Sequence, residues 1–96
     1  MFTLKESNVI ESNEGFCLEV SGRSGLKYRE NDKMMLIDSE VTTNGMAVYV
    51  PSIKKWEPPN SEKIITDNKR EIILKNIRDA LTFWGTGEYV VDFVNY

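Results

Sequence analysis

Residues 26–38 have the sequence LKYRENDKMMLID, and this stretch predicts a β-hairpin around which the rest of the chain is organised. Apolar and polar residues alternate on both sides of Asn31-Asp32, which is the period of strands with one buried face. A two-residue loop at Asn31-Asp32 places Tyr28 opposite Met35, so that apolar side chains meet on one face. The pattern therefore predicts both a turn and the register of two strands.

The next turn downstream is predicted at Asn44-Gly45, because both residues tolerate a positive φ angle. A two-residue loop at this position pairs Val41 with Val48 and Glu40 with Tyr49. Apolar again meets apolar, so this register is also self-consistent.

The turn upstream of the first hairpin needs a different length. A two-residue loop would place Val20 opposite Lys27, on mismatched faces, whereas a three-residue loop restores the match. We therefore expect a bulged turn that uses Gly22 or Gly25.

Together these patterns predict an α+β fold, in which an antiparallel β-meander sheet carries one long helix on one face and ends in a C-terminal strand. The meander spans about residues 16–50, and Phe2–Ile10 adds a further short strand or hairpin. Pro51–Asn60 is expected to be a loop, because its prolines have no backbone N–H. A helix is predicted at Thr66–Trp84, followed by a strand at Tyr89–Val94 that returns to the sheet.

The helix prediction depends on apolar residues at helical spacing. Thr66 is the expected N-cap, and Gly85 or Gly87 is expected to end the helix in a left-handed conformation. Glu71 and Lys75 have the i,i+4 spacing and orientation that favour an ion pair. One face carries the side chains that we expect to pack on the sheet: Ile73, Ile77, Ala80, Leu81 and Trp84.

Composition limits the functions that are available to this chain. It has 96 residues, no histidine, one cysteine (Cys17) and a net charge of −3. We expect a single domain over residues 1–96. Without histidine, a Ser-His-Asp or Cys-His catalytic set or a His/Cys zinc site cannot form within one chain. We therefore expect a protein that is not an enzyme and has no catalytic residues, metal or cofactor.

The same numbers predict where the protein acts and what it does not bind. A lone cysteine forms no intrachain disulfide, which suits a reducing cytoplasm. The acidic balance argues against nucleic acid as a partner, and no apolar run is long enough for a membrane span. A binding or interaction domain is the function class that remains.

Two groups of residues are candidates for contact with a partner. Trp56 stands beside Glu57 in a proline-stiffened loop and could be a rigid contact anchor; the alternative is that Trp56 folds back to cap the sheet or the helix end. Asp38 and Glu40 share the outer face of one strand, where paired carboxylates can do acid–base work or bind a divalent cation. The alternative for these carboxylates is a solvated face on which Lys27 and Arg29 are their cross-strand partners.

Tyr49 is expected to point away from the helix. With Leu36 and Met34 it would form an apolar strip on the outer face, which is either a partner or homodimer surface or is covered by the N-terminal segment.

Residues 52–59, SIKKWEPP, follow a strand that ends in Ile37-Asp38-Ser39-Glu40, and they precede the helix and the closing strand. In this arrangement, over about residues 16–94, the chain resembles the bacterial immunity protein family 74 of polymorphic toxin systems. The resemblance implies a small cytosolic protein that protects a toxin-producing cell by binding the toxin.

The leading hypothesis is therefore a non-enzymatic immunity protein whose cognate toxin has a basic surface, as a nuclease domain would. The expected contact residues are Trp56, Glu57, Tyr49, Asp38 and Glu40. Two other hypotheses stay open: a homo-oligomeric module that buries the apolar strip, and a small-molecule or metal-dependent enzyme that uses Asp38 and Glu40.

Overall fold

Seven strands and one helix follow one another along the chain in a computed structural model that describes residues 1–21, 25–86 and 88–95. The strands lie in the sheet in the order in which they occur along the chain; neighbours are antiparallel except the last two strands, which are parallel. The helix covers one face, so the predicted α+β fold is confirmed. The elements are β1 (Phe2–Glu6), β2 (Val9–Ser12), β3 (Phe16–Val20), β4 (Gly25–Glu30), β5 (Lys33–Val41), β6 (Gly45–Tyr49), a short 3-10 turn (Val50–Ser52), α1 (Asp67–Trp84) and β7 (Val90–Val94).

The hairpin predicted at Asn31-Asp32 is confirmed in its turn and its register. Tyr28 lies opposite Met35, and Leu26 lies opposite Ile37. Asn31 adopts a φ of 56°, the left-handed region that Asn tolerates better than most residues. All four paired side chains are buried under the helix.

The register between β5 and β6 is displaced by two residues from the predicted one. Val41 lies opposite Met46 and Glu40 opposite Ala47, so the prediction that Tyr49 lies beside Glu40 is wrong. The buried faces are unchanged, because side chains alternate with a period of two and a shift of two residues keeps the same face.

Gly45 explains the displacement. It lies inside β6 and pairs with Val90 of β7 instead of forming the tip of a two-residue turn. Thr42 closes the longer loop by donating its N–H to the Gly45 carbonyl at 2.9 Å. A Cβ at Gly45 would meet the backbone of Val90, so the glycine permits two strands to approach closely and does not supply a positive φ.

The N-terminal residues form the first hairpin, β1 and β2, as predicted. They extend the edge of the sheet and do not cover the outer strip, where Leu36 remains 55% exposed. At the next turn, Val20 lies opposite Leu26 and Ser21 donates to the Gly25 carbonyl, which is the register of a three-residue loop. The predicted use of Gly22 in that turn lies outside the described residues.

The helix begins as predicted and ends differently. The Thr66 side chain accepts a hydrogen bond from the Lys69 N–H at 3.1 Å, which caps the first turn. At the other end Gly85 has a φ of −89°, and Thr86 adopts the left-handed φ of 63° instead. The predicted role of Gly85 is therefore wrong, and Gly87 lies outside the described residues.

The buried face of the helix matches the predicted one. Ile73, Ile77, Ala80 and Leu81 are fully buried. Trp84 is half-buried and donates its indole N–H to the Ser7 carbonyl at 2.9 Å. The predicted ion pair of Glu71 with Lys75 is wrong, because the Lys75 ammonium lies 2.8 Å from Asp79, one turn further along the helix.

Candidate functional site

The structure separates the predicted contact residues into two groups. Asp38, Glu40 and Tyr49 lie on the outer face of the sheet, on β5 and β6, away from the helix. Trp56 and Glu57 lie in the loop between β6 and α1. The two groups do not form one exposed patch, because Trp56 is buried.

Trp56 is buried on the helix side of the sheet, with 3% of its surface exposed. Its ring stacks on Tyr28 at a centroid separation of 6.3 Å, and the Lys33 ammonium lies 5.4 Å from its centroid. This is the arrangement in which Trp56 folds back onto the sheet. In this position Trp56 supports its neighbours and does not itself reach a partner's surface.

Glu57 is half-buried and ties the loop to the start of β5. Its backbone N–H donates to the Met34 carbonyl at 2.7 Å. Three residues further, the Asn60 side chain donates to the Asp32 carbonyl at 3.2 Å. The proline-containing loop is therefore held against the same hairpin that carries Leu36 and Asp38.

Ser52, which sequence reasoning missed, links two of the predicted residues. Its hydroxyl accepts from the Asp38 backbone N–H at 3.0 Å and donates to the Tyr49 carbonyl at 2.6 Å. Local bonds from serine side chains to backbone groups three residues away are common, so the spacing of Tyr49 and Ser52 was the available signal. The hydroxyl therefore links the middle of β5 to the C-terminal end of β6.

A row of carboxylates crosses three strands of the outer face. Glu40 lies opposite Ala47, and Ala47 lies opposite Asp92 of β7, so the two carboxylates flank a small side chain at a Cα separation of about 10 Å. Asp38 stands two residues from Glu40 on the same face, and all three acidic residues are exposed. The outer surface formed by Asp38, Glu40, Ala47, Tyr49 and Asp92 is called the acidic face below.

Basic residues do not neutralise the acidic face. Lys27 lies opposite Leu36 on the neighbouring strand, and its ammonium lies 4.0 Å from Glu19. Among the residues that the structure describes, no lysine or arginine forms an ion pair with a carboxylate of the acidic face. The alternative in which Lys27 and Arg29 partner Asp38 and Glu40 is therefore wrong. In the observed register Asp38 lies opposite Gly25, whereas Lys27 and Arg29 lie opposite Leu36 and Met34, further along β5 toward the Asn31-Asp32 turn.

Asp92 was missed by sequence reasoning, although its alternation with Val91 and Phe93 indicates an outward side chain. Those two neighbours pack against the core, which directs Asp92 to the opposite face. Its proximity to Glu40 depends on the parallel pairing of β6 with β7, which has no local sequence signal.

A second polar cluster joins the helix to the covered face of the sheet. The Tyr28 hydroxyl donates to Glu30 at 2.6 Å and accepts from the Asn76 side chain at 3.0 Å, and Lys69 bonds the other Glu30 oxygen. Burial raises the pKa of Tyr28, and the hydrogen bond to Glu30 adds to the shift. These contacts satisfy one another, so we interpret the cluster as structural.

The candidates for other chemistry are placed as follows. Cys17 is half-buried on the outer face, and burial together with Glu11 raises the pKa of its thiol, which keeps it protonated near neutral pH. Within the described ranges, no group of three or more Asp, Glu, Cys or His side chains could hold a metal ion. The described helix is also not apolar enough to cross a membrane.

Comparison with protein families identifies a match to the family described as Immunity protein 74 over residues 18–94. The match covers β4 to β7, the helix and every residue of the acidic face. Searches of curated proteins and of solved structures returned no match. The family match confirms the resemblance inferred from the SIKKWEPP segment, and the chain belongs to the immunity protein 74 family.

Proposed function

We propose that this protein is a non-enzymatic immunity protein that binds and neutralises a cognate bacterial toxin in the cytoplasm of the cell that makes the toxin. The observation that carries the proposal is the family match over residues 18–94, which implies a toxin partner. Protection by binding needs a surface and not a catalytic set, which agrees with a chain that has no histidine.

The acidic face is the proposed toxin-binding surface. Its three carboxylates are solvated and lack basic partners among the described residues, so a partner's lysines or arginines could pair with them without breaking an existing ion pair. Leu36, which is 55% exposed on the adjoining part of β5, adds apolar area beside the charges. Apolar area supplies affinity, while complementary charge speeds encounter and selects the partner.

A basic toxin fits this surface best. Complementary charge raises association rates by one or more orders of magnitude at low ionic strength, and salt screens the effect. Nuclease domains have basic surfaces because they bind phosphates, so we propose a nuclease domain as the toxin.

Trp56 and Glu57 have a positioning role in this proposal. Trp56 fills the space under the β4–β5 hairpin, and the Glu57 N–H holds the Met34 carbonyl at 2.7 Å. Both contacts hold the strand that presents Leu36 and Asp38. We therefore propose that these two residues affect toxin binding through the shape of the sheet.

The first test is capture of the toxin from the source cell, followed by a neutralisation assay with the purified pair. The double variant Glu40→Gln/Asp92→Asn removes two charges with little change in side-chain shape. We expect association to slow by about tenfold at low salt, and the difference from wild type to shrink at high salt.

The matched control is Glu62→Gln/Glu71→Gln, which makes the same charge change at exposed positions of the loop and the helix. Equal effects of the two double variants would show that net charge alone matters, and would remove the acidic face as the binding site. A wild-type protein that captures and neutralises no toxin would refute the function itself.

A further inference from the structure

β1 leaves backbone groups without a partner at one edge of the sheet. The Asn13 N–H donates to the Met1 carbonyl at 3.2 Å, so Met1 and then Thr3 direct their backbone groups toward β2. Antiparallel pairing alternates, and Phe2 and Leu4 therefore direct their N–H and C=O groups away from the sheet. In the part of the chain that the structure describes, no strand pairs with that side of β1.

An apolar groove of about 780 Å³ lies beside this edge, on the helix side of the sheet. Phe2 and Leu4 line it from β1, and Phe83 and Trp84 line it from the end of the helix. Leu4 is 50% and Phe83 is 40% exposed, so the groove is open to solvent. The two residues with outward backbone groups thus also direct their side chains into the groove.

The unpaired backbone groups of β1 and the apolar groove together indicate which kind of segment could bind at this edge. A strand that pairs with Phe2 and Leu4 would place its own alternate side chains over the groove, as in recognition by strand addition. The register between β1 and β2 shifts between Leu4 and Glu6, which ends the regular part of this edge after Leu4. The occupant is therefore a short extended segment with two apolar residues at i and i+2.

We propose that the occupant is β1 of a second copy of this chain, paired antiparallel about a two-fold axis at Thr3. In this register Phe2 of each copy lies opposite Leu4 of the other, and all the outward backbone groups are satisfied. The four apolar side chains then share one joined groove, because an axis perpendicular to the sheet keeps both helices on the same side.

The same register also determines which side chains lie opposite each other on the outer face of the sheet. Thr3 meets Thr3 across the axis, a cross-strand pair that stabilises sheets. Lys5 lies opposite Met1 and not opposite its own copy, and the Met1 ammonium is bound to the Asn13 side chain at 3.2 Å. Residues 1–5 thus match themselves in hydrogen bonding and apolar pattern, which favours a second copy over an unrelated strand.

The size of the contact sets its strength. A five-residue strand pair with the groove filled buries on the order of 1,000 Å² in total, at the lower end of specific interfaces. We expect a monomer–dimer equilibrium with a dissociation constant in the micromolar range. The acidic face lies on β5 to β7 near the opposite edge, so dimerisation leaves it free and does not depend on the toxin proposal.

Cysteine cross-linking tests the register directly, in a Cys17→Ser background because Cys17 is the only native cysteine. Thr3→Cys places two sulfurs across the axis in a non-hydrogen-bonded pair, where a Cα separation of about 4.5 Å permits a disulfide. Lys5→Cys is the control, because its two copies lie about 14 Å apart in this register. We expect oxidation to cross-link Thr3→Cys and to leave Lys5→Cys monomeric; equal cross-linking of both would overturn the proposal.

Sedimentation equilibrium of two surface variants tests which surface forms the dimer. Leu4→Glu puts an inward charge on the edge strand and should weaken the dimer by at least about tenfold. Leu36→Glu makes the same change at a leucine that is similarly exposed (55%) on the outer face, and should leave the dimer unchanged. A wild-type protein that stays monomeric at roughly 1 mM, the upper limit of weak association, would overturn the proposal.

Two further outcomes would also overturn it. Loss of the dimer in Leu36→Glu but not in Leu4→Glu would assign dimerisation to the apolar strip of Met34, Leu36 and Tyr49. A monomer whose toxin binding is abolished by Leu4→Glu would assign the edge to the toxin instead of a second copy.

Discussion

Replacement of Gly45 by alanine should specifically detach β7 from the sheet. A Cβ on Gly45 would lie 2.7 Å from the Val90 backbone nitrogen and carbonyl carbon and would also meet the Val90 carbonyl oxygen. Ordinary contacts begin at 3.4 Å, and the Val90 carbonyl oxygen is the closest of the three atoms, so the two strands must move apart to admit the methyl group. Both neighbours are backbone atoms in paired strands, so no side chain can rotate to relieve the clash.

The magnitude follows from two costs. Overpacking in a buried position costs about 1–3 kcal/mol. Separation of the strands also breaks the hydrogen bond from the Val90 N–H to the Asn44 carbonyl, now 3.0 Å, which contributes about 0.5–1.5 kcal/mol. We expect the free energy of unfolding to fall by about 2–4 kcal/mol, which lowers the Tm by roughly 10–30 °C at this chain length.

Gly25→Ala is the matched control for this experiment. Gly25 also begins a strand, but a Cβ there meets the Ser21 carbonyl oxygen at 3.4 Å, an ordinary contact. Its φ is not in the left-handed region, so alanine should be neutral or stabilise the protein by up to about 1 kcal/mol through the unfolded state. Urea denaturation of both variants gives the comparison, and amide hydrogen exchange locates the loss.

The refuting result is a Gly45→Ala protein that is as stable as Gly25→Ala and keeps its exchange protection in β7. That outcome would show that β7 does not approach β6 in parallel register. It would also separate Asp92 from Glu40, and so remove the row of carboxylates from the acidic face.

Three smaller predictions concern the helix and the buried polar groups. Thr66→Ala removes the acceptor for the Lys69 N–H and should lower the free energy of unfolding by about 1 kcal/mol in urea denaturation. The raised pKa of Tyr28 means that the tyrosine of the unfolded chain ionises at a lower pH than that of the folded protein. The contribution of this residue to stability is therefore complete below about pH 10 and is lost as pH rises. The free energy of unfolding should fall less steeply with pH in Tyr28→Phe. Ser39→Ala removes a buried hydroxyl that has no partner among the described residues, and should leave stability unchanged or raise it by up to about 1 kcal/mol.

Each of these predictions has a contrary outcome. Thr66→Ser keeps the acceptor and serves as the capping control, so equal loss in Thr66→Ser and Thr66→Ala would refute the cap. A Tyr28→Phe protein with the wild-type pH dependence above pH 10 would show that Tyr28 does not carry the effect. A clear loss of stability in Ser39→Ala would show that the hydroxyl has a partner in solution.

The fold was predictable where neighbours in sequence are also neighbours in space. Asn31-Asp32 closes a hairpin whose two strands are adjacent in the chain, so alternation and turn chemistry specify the register. The register predicted from Asn44-Gly45 was wrong, because the preference of Gly45 for a turn competes with its pairing to Val90, which is distant in the chain.

The candidate site was predictable only in part. Asp38, Glu40 and Tyr49 could be assigned to the outer face from alternation alone. The composition of a loop does not show which way a large side chain turns, so Trp56 could be exposed or buried until the contact with Tyr28 decided it. Asp92 became part of the acidic face through the parallel pairing of β6 and β7.

The amino-acid sequence by itself determined the strand and helix segments, the buried face of each, the N-cap at Thr66 and the membership in an immunity protein family. Those features depend on alternation, helical spacing and short motifs, which act over a few residues. The tertiary structure decided the close approach of β7 at Gly45, the carboxylate row from Glu40 to Asp92 and the groove beside β1. Each of these joins segments far apart in the chain, where packing and backbone pairing of the whole sheet override local preference.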